Sequence, residues 1–109
     1  MTTTNTNEAA YANCYGYSDI IPYEIVRRVS DKTIEVREMK AEIDPTWKRD
    51  FIPGGFFGHT ANNDSQKWMI SSDETQPVIR IRKQKNGRWG KNGRFSLSNE
   101  PVRFYDFNF

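Results

Sequence analysis

From residue 17 onward the chain carries no run of apolar residues at the 3.6-residue period of a helix. It carries short alternating or β-branched segments, separated by turn chemistry. This pattern leaves antiparallel β architectures and disfavours helical bundles and α/β layers. Residues 22–29 are rich in aromatic and β-branched side chains, with Pro22 at a position a strand start tolerates. Ser30-Asp31-Lys32 supplies a turn, and residues 33–37 alternate so that Ile34 and Val36 share an inward face. The two segments read as a hairpin. Residues 66–71 form a further expected strand. Residues 78–82 alternate too, with Ile79 and Ile81 expected inward and Arg80 and Arg82 outward.

Asn86-Gly87 is a strong two-residue hairpin signal, since both residues accept the positive φ of a type I′ turn. Residues 88–90 are expected to return as a strand, and Asn92-Gly93 to form a second turn or bulge. Phe95 and Leu97 then face one way, Arg94 and Ser96 the other. Residues 102–109 hold three phenylalanines and a tyrosine, too aromatic for a free tail, and are expected to dock as a final edge strand.

With 109 residues the chain fits one domain and one core. Hydrophobic residues are only 36% of it, but aromatics at 14% offset the deficit, because each buried ring removes about 150–250 Å² from water. Residues 1–15 are rich in Thr, Asn and Ala without a sustained period, and read as a flexible tail whose removal leaves the fold intact. The compact domain is then residues 16–109. Five or six short strands in about 90 residues point to a mainly β fold: a small antiparallel barrel or strongly twisted sheet of SH3-like type, without a long helix. An open sheet covered on one face by an aromatic loop is the alternative.

That loop is residues 44–65, where turn residues are too dense for a helix or an interior strand. It also carries Trp47, Phe51, Phe56 and Phe57, which a solvated loop does not need. Either the rings pack over the end of the sheet, or some stay exposed as a contact surface.

Catalytic signatures are sparse. Cys14 is the single cysteine and His59 the single histidine, so neither a disulfide within the chain nor a Cys- or His-rich metal site can be assembled. The sequence holds no phosphate loop, no nucleophile elbow and no H-E-x-x-H pair. Gly54-Gly55 and Gly58 lack the strand–loop–helix context of a phosphate cradle. His59 is the one position suited to acid–base work, with Cys14 a distant nucleophile candidate, and a structural or surface role fits both better. No enzyme activity and no cofactor are expected. The N-terminus lacks a basic and an apolar signal region, and no segment reaches the roughly 20 apolar residues of a membrane span. A cytoplasmic location away from membranes follows as the expectation.

Charge is distributed unevenly. Residues 1–74 carry 8 Lys/Arg against 12 Asp/Glu; residues 75–109 carry 8 against 2. Between Arg80 and Arg94 lie Arg80, Arg82, Lys83, Lys85, Arg88, Lys91 and Arg94, with no acid among them. Such a block suits an anionic partner, or simply keeps a hairpin solvated. With Trp89 as a stacking ring, Arg80, Arg82, Lys85 and Arg88 make a candidate nucleic-acid surface. The pI of 8.8, below the threshold of about 9, and the acidic first part of the chain weigh against that reading. Trp47, Phe56, Phe57 and His59 form the other candidate binding group.

The run of "PYEIV", "KTIEVR", "NGRW", "GRFSL" and a closing "YDFNF" resembles a group of small uncharacterised proteins encoded by bacteriophages and prophages, over roughly residues 16–109. The resemblance implies a compact β fold and a phage-related origin, and it carries over no catalytic residue. It also implies an accessory role: binding a host protein or other macromolecule, or a small defence-related molecule, with a nucleic-acid-binding module as the alternative.

Overall fold

The computed structural model describes residues 9–53 and 58–108. In chain order its strands are β1 (Tyr11–Tyr15), β2 (Ile20–Ser30), β3 (Thr33–Glu38), β4 (Lys40–Ile43), β5 (Phe51–Ile52), β6 (His59–Thr60), β7 (Trp68–Ser71), β8 (Val78–Arg82) and β9 (Phe95–Ser98). A single 3-10 turn at Asn63–Ser65 is the only helical element among the described residues. Five strands form an antiparallel sheet in the order β8-β3-β2-β1-β9; β4 pairs with β7 and β5 with β6 in two small ribbons. No described helix is long and apolar enough to cross a membrane.

The expected hairpin of β2 and β3 is present. Ile34 and Val36 are fully buried and alternate with Glu35 and Arg37 on the outer face. Register shifts between Ile25 and Arg27, and between Arg28 and Ser30, mark bulges that bend and twist the 11-residue β2. Ala12, Ile34, Val36, Ile81 and Trp89 make the core, with Tyr23, Ile25, Phe95 and Leu97 packed against it.

The tail reading of residues 1–15 fails from residue 9, where Ala9 is buried and the Ala10 carbonyl accepts from the Ile25 N–H at 2.9 Å. Residues 1–8 lie outside the described residues, but β1 is an interior strand, paired with β2 on one side and β9 on the other. Ala12 sits opposite Tyr23 and Leu97 and is completely buried. A small side chain suits a position crowded by two larger cross-strand neighbours, so context overrides the low strand propensity of Ala and Asn. Asn13 points to the opposite face and is 1% exposed. Its Nδ2 donates to the Glu100 carbonyl at 3.0 Å, and its Oδ1 accepts from the Val102 N–H at 2.9 Å. One amide thereby straps residues 100–102 across the sheet. Asn13→Ala leaves both backbone groups without that partner and is expected to cost about 1–3 kcal/mol in chemical denaturation. A loss below about 0.5 kcal/mol, within the range of ordinary surface substitutions, shows the strap to be dispensable.

Three further expectations are corrected. The Asn86-Gly87 turn is not type I′, because no described non-glycine residue has positive φ; only Gly87, at +85°, does. Gln84 instead accepts from the Gly87 N–H at 2.9 Å and donates its own N–H to Arg88 O at 2.6 Å, a three-residue loop ending in a left-handed glycine. Ile79 is 38% exposed although it shares a face with Val36, because β8 is an edge strand. Residues 102–108 dock without becoming a strand, apart from one bridge between Ile20 and Phe104. Side-chain amides hold them: Asn63 Oδ1 accepts from Phe107 N–H, Gln66 Oε1 from Tyr105 N–H, and Asn108 brackets the Thr60 backbone.

The sheet is not closed into a barrel. β8 and β9 are its edges, tied at one end only, where Trp89 bridges to Lys83 and to Phe95. Gly90 follows with φ +85°, and a Cβ there would meet the Phe95 ring at 2.7 Å. Only glycine lets the chain turn so tightly against that ring.

Candidate binding surface

The two turns between β8 and β9 gather the basic residues at one end of the sheet. Lys83 pairs toward the β2–β3 turn, where its N–H donates to Lys32 O at 2.8 Å. A groove lined by Lys32, Lys83, Lys85 and Asn86 lies on one side of the 84–88 loop. A second, lined by Tyr15, Arg88, Arg94 and Ser96, lies on the other. Lys32, Arg82, Lys83, Lys85, Arg88, Lys91 and Arg94 take part in no ion pair among the described residues. All seven are exposed.

The sequence-based group divides here. Arg82, Lys85 and Arg88 belong to this cationic end. Arg80 projects from the same strand but donates to Glu35 Oε2 at 2.9 Å, and Glu35 also lies 4.0 Å from Arg27. One carboxylate thus faces two arginines, so only part of the Arg80 charge is offset within the outer face. Trp89 is 3% exposed and part of the core, so it is no stacking ring; its indole N–H has no hydrogen-bond partner among the described residues. Its neighbour Arg88 is exposed, as alternation along an extended chain places it. Tyr15, at 47% exposure in the groove with Arg88 and Arg94, is the ring that sequence reading missed.

The second group does not join the first. Trp47 is buried and stacks on Phe107 at 5.7 Å. His59 is exposed on β6, in a ribbon separate from the main sheet. Phe56 and Phe57 lie outside the described residues. What organises this region is a pair of arginines. Arg49 lies 5.0 Å from the ring centres of both Phe51 and Phe107, and Arg103 lies 5.1 Å from Trp68 and 5.8 Å from Tyr105. Both follow an i, i+2 spacing to a ring, Arg49 to Phe51 and Arg103 to Tyr105, which an extended chain places on one side. These cation–π contacts use the arginines internally. The loop rings are thus split between the two alternatives, Trp47 packed and Phe51 half exposed.

Cys14 lies on β1 opposite Ile21 and Phe95. Burial pushes its thiol above the usual range, and nearby Arg94 only partly opposes this. A raised thiol pKa makes a poorer nucleophile near neutrality. Asp44 is engaged by the Thr46 N–H and hydroxyl, which hold its carboxyl below the ordinary value. Among the described residues no three His, Cys, Asp or Glu side chains gather as a metal site requires. Compared with known proteins, the chain matches no family model, no curated sequence and no solved structure.

Proposed function

We propose that the chain is a non-catalytic accessory protein of phage type that docks on an acidic protein surface through the cationic end of its sheet. The observation that carries the reading is the set of seven exposed cations around the β2–β3 turn and residues 82–94 that form no ion pair among the described residues. Elsewhere on the sheet the cations are spent on partners: Arg37 donates to Glu24 at 2.6 Å and Arg80 to Glu35. Unpaired like charges repel one another, and an anionic partner relieves that repulsion while steering association. The strand order, in which the last strand returns to pair with the first, supports an SH3-like reading of the sheet, opened between β8 and β9.

Single-stranded nucleic acid is the second reading, favoured by exposed Tyr15 beside Arg88 and Arg94. Strand binding usually combines several stacking rings with its cations. With Trp89 in the core this end offers one. A salt series with poly-L-glutamate and with an oligothymidylate of equal charge discriminates between them. Poly-L-glutamate is expected to bind at about 50 mM salt and to release steeply as salt rises. Lys85→Glu with Arg88→Glu is expected to weaken it at least about tenfold, or 1.4 kcal/mol, without moving the thermal midpoint. Tighter binding of the oligonucleotide promotes the second reading; no binding of either at low salt removes both.

A further inference from the structure

The gap between the two edges of the sheet is a groove with an unused backbone edge. Backbone groups alternate sides along a strand, and the Lys83 N–H turns toward β3 while Arg82 O turns away to accept from Gly90 N–H at 2.9 Å. By that alternation Arg80 and Val78 direct their N–H and C=O groups away from β3, where no strand among the described residues pairs with them. The same groove is floored by Ile79, Ile81 and Phe95 and rimmed by Arg80, Arg82 and Lys91. Its far end is stopped by the bridges at Trp89. An exposed edge strand with apolar residues at alternate positions is a template for another strand, and no bulge or proline within β8 blunts it.

We infer that an extended segment of the acidic partner adds to β8 as a sixth strand in this groove. Residues opposite Ile79 and Ile81 would face the apolar floor, and residues opposite Arg80 and Arg82 would face outward. The segment recognised therefore alternates apolar and acidic side chains over about five residues, the mode in which main-chain bonds give affinity and alternate side chains give specificity. A second copy of this chain fits poorly. Antiparallel self-pairing centred on Arg80 sets the two Arg80 side chains opposite each other, and like charges directly opposite are destabilising. The inference rests on the proposed acidic partner and adds the site and the shape of its contact.

The test uses a synthetic heptapeptide alternating glutamate and valine, with poly-L-glutamate as a charge-only control and the oligothymidylate as competitor. Arg80→Pro removes the outward N–H at a position where an edge strand tolerates proline. Arg80→Ala removes the same side chain but keeps the N–H. Expected are heptapeptide binding, slowed exchange of the Arg80 and Arg82 amide protons, at least tenfold weakening by Arg80→Pro and at most threefold by Arg80→Ala. Poly-L-glutamate binding should respond equally to both substitutions. If Arg80→Pro fails to fold, Ile79→Ser tests the floor and is expected to weaken the peptide but not the polymer. Equal peptide binding by the Pro and Ala variants, or by Ile79→Ser and the unsubstituted chain, overturns the inference. So does displacement of the peptide by the oligonucleotide without any protection of β8 amides. Polymer binding without peptide binding overturns the added strand alone; failure of both overturns the acidic-partner reading with it.

Discussion

A chain beginning at Gly16 is expected to lose cooperative unfolding altogether. The segment removed contains β1, which supplies the pairing surface for both β2 and β9. Without it β9 has no neighbour in the sheet, and β2 becomes an edge with its Tyr23 and Ile25 rows uncovered. Completely buried Ala12 and Asn13 leave together with their contacts. Marginal stability of about 5–15 kcal/mol cannot absorb the loss of a central strand. Circular dichroism during thermal denaturation reads the outcome. A sigmoidal transition within about 5 °C of the full chain, roughly 1 kcal/mol, would mean that β1 contributes little to holding the sheet.

Trp89→Ala is expected to cost about 3–5 kcal/mol, the range for emptying a buried aromatic site. The ring lies in the core beside Ile34, Val36 and Ile81, at the one place where both sheet edges meet. Trp89→Phe should cost less than half as much. It keeps an aromatic filler and removes an indole N–H that is buried without a hydrogen-bond partner among the described residues, a group that carries its own desolvation penalty. Urea denaturation of the two variants gives the comparison. A loss under about 1 kcal/mol for Trp89→Ala places the ring outside the core and restores its candidacy as a stacking surface.

The parts of the fold that were legible in the sequence are those where side chains announce their own face. Ile34 and Val36 alternate with charged Glu35 and Arg37, and both are fully buried in β3. Phe95 and Leu97 alternate with Arg94 and Ser96, and both pack on the core. β1 was illegible because its inward residues, Ala12 and Cys14, are small, and its buried outward residue is a polar Asn serving as a strap. The docking of residues 102–108 was legible from its rings, but its form was not. Asn63, Gln66 and Asn108 replace the ladder bonds that a strand would use, and nothing in their spacing marks them as partners.

The candidate surface shows the same division. A block of basic residues between positions 80 and 94 is visible in the sequence as charge without acid. Which of those charges are free is not, because Glu35 lies 45 residues from Arg80 and pairs with it across the β3–β8 ladder. Lys32 joins the cluster from the β2–β3 turn for the same reason, brought beside Lys83 by antiparallel pairing. Arg49 and Arg103, by contrast, carry charge that the aromatic rings around them occupy.

The most direct measurement is a map of backbone amide chemical shifts on titration with poly-L-glutamate at low salt. The result expected is a contiguous set of shifts at residues 83–94 and around Lys32, with Arg49, Arg103 and the rings beside them unchanged. Shifts centred on His59 and Phe51, with the 83–94 turns silent, would contradict the assignment of the binding surface to the cationic end of the sheet.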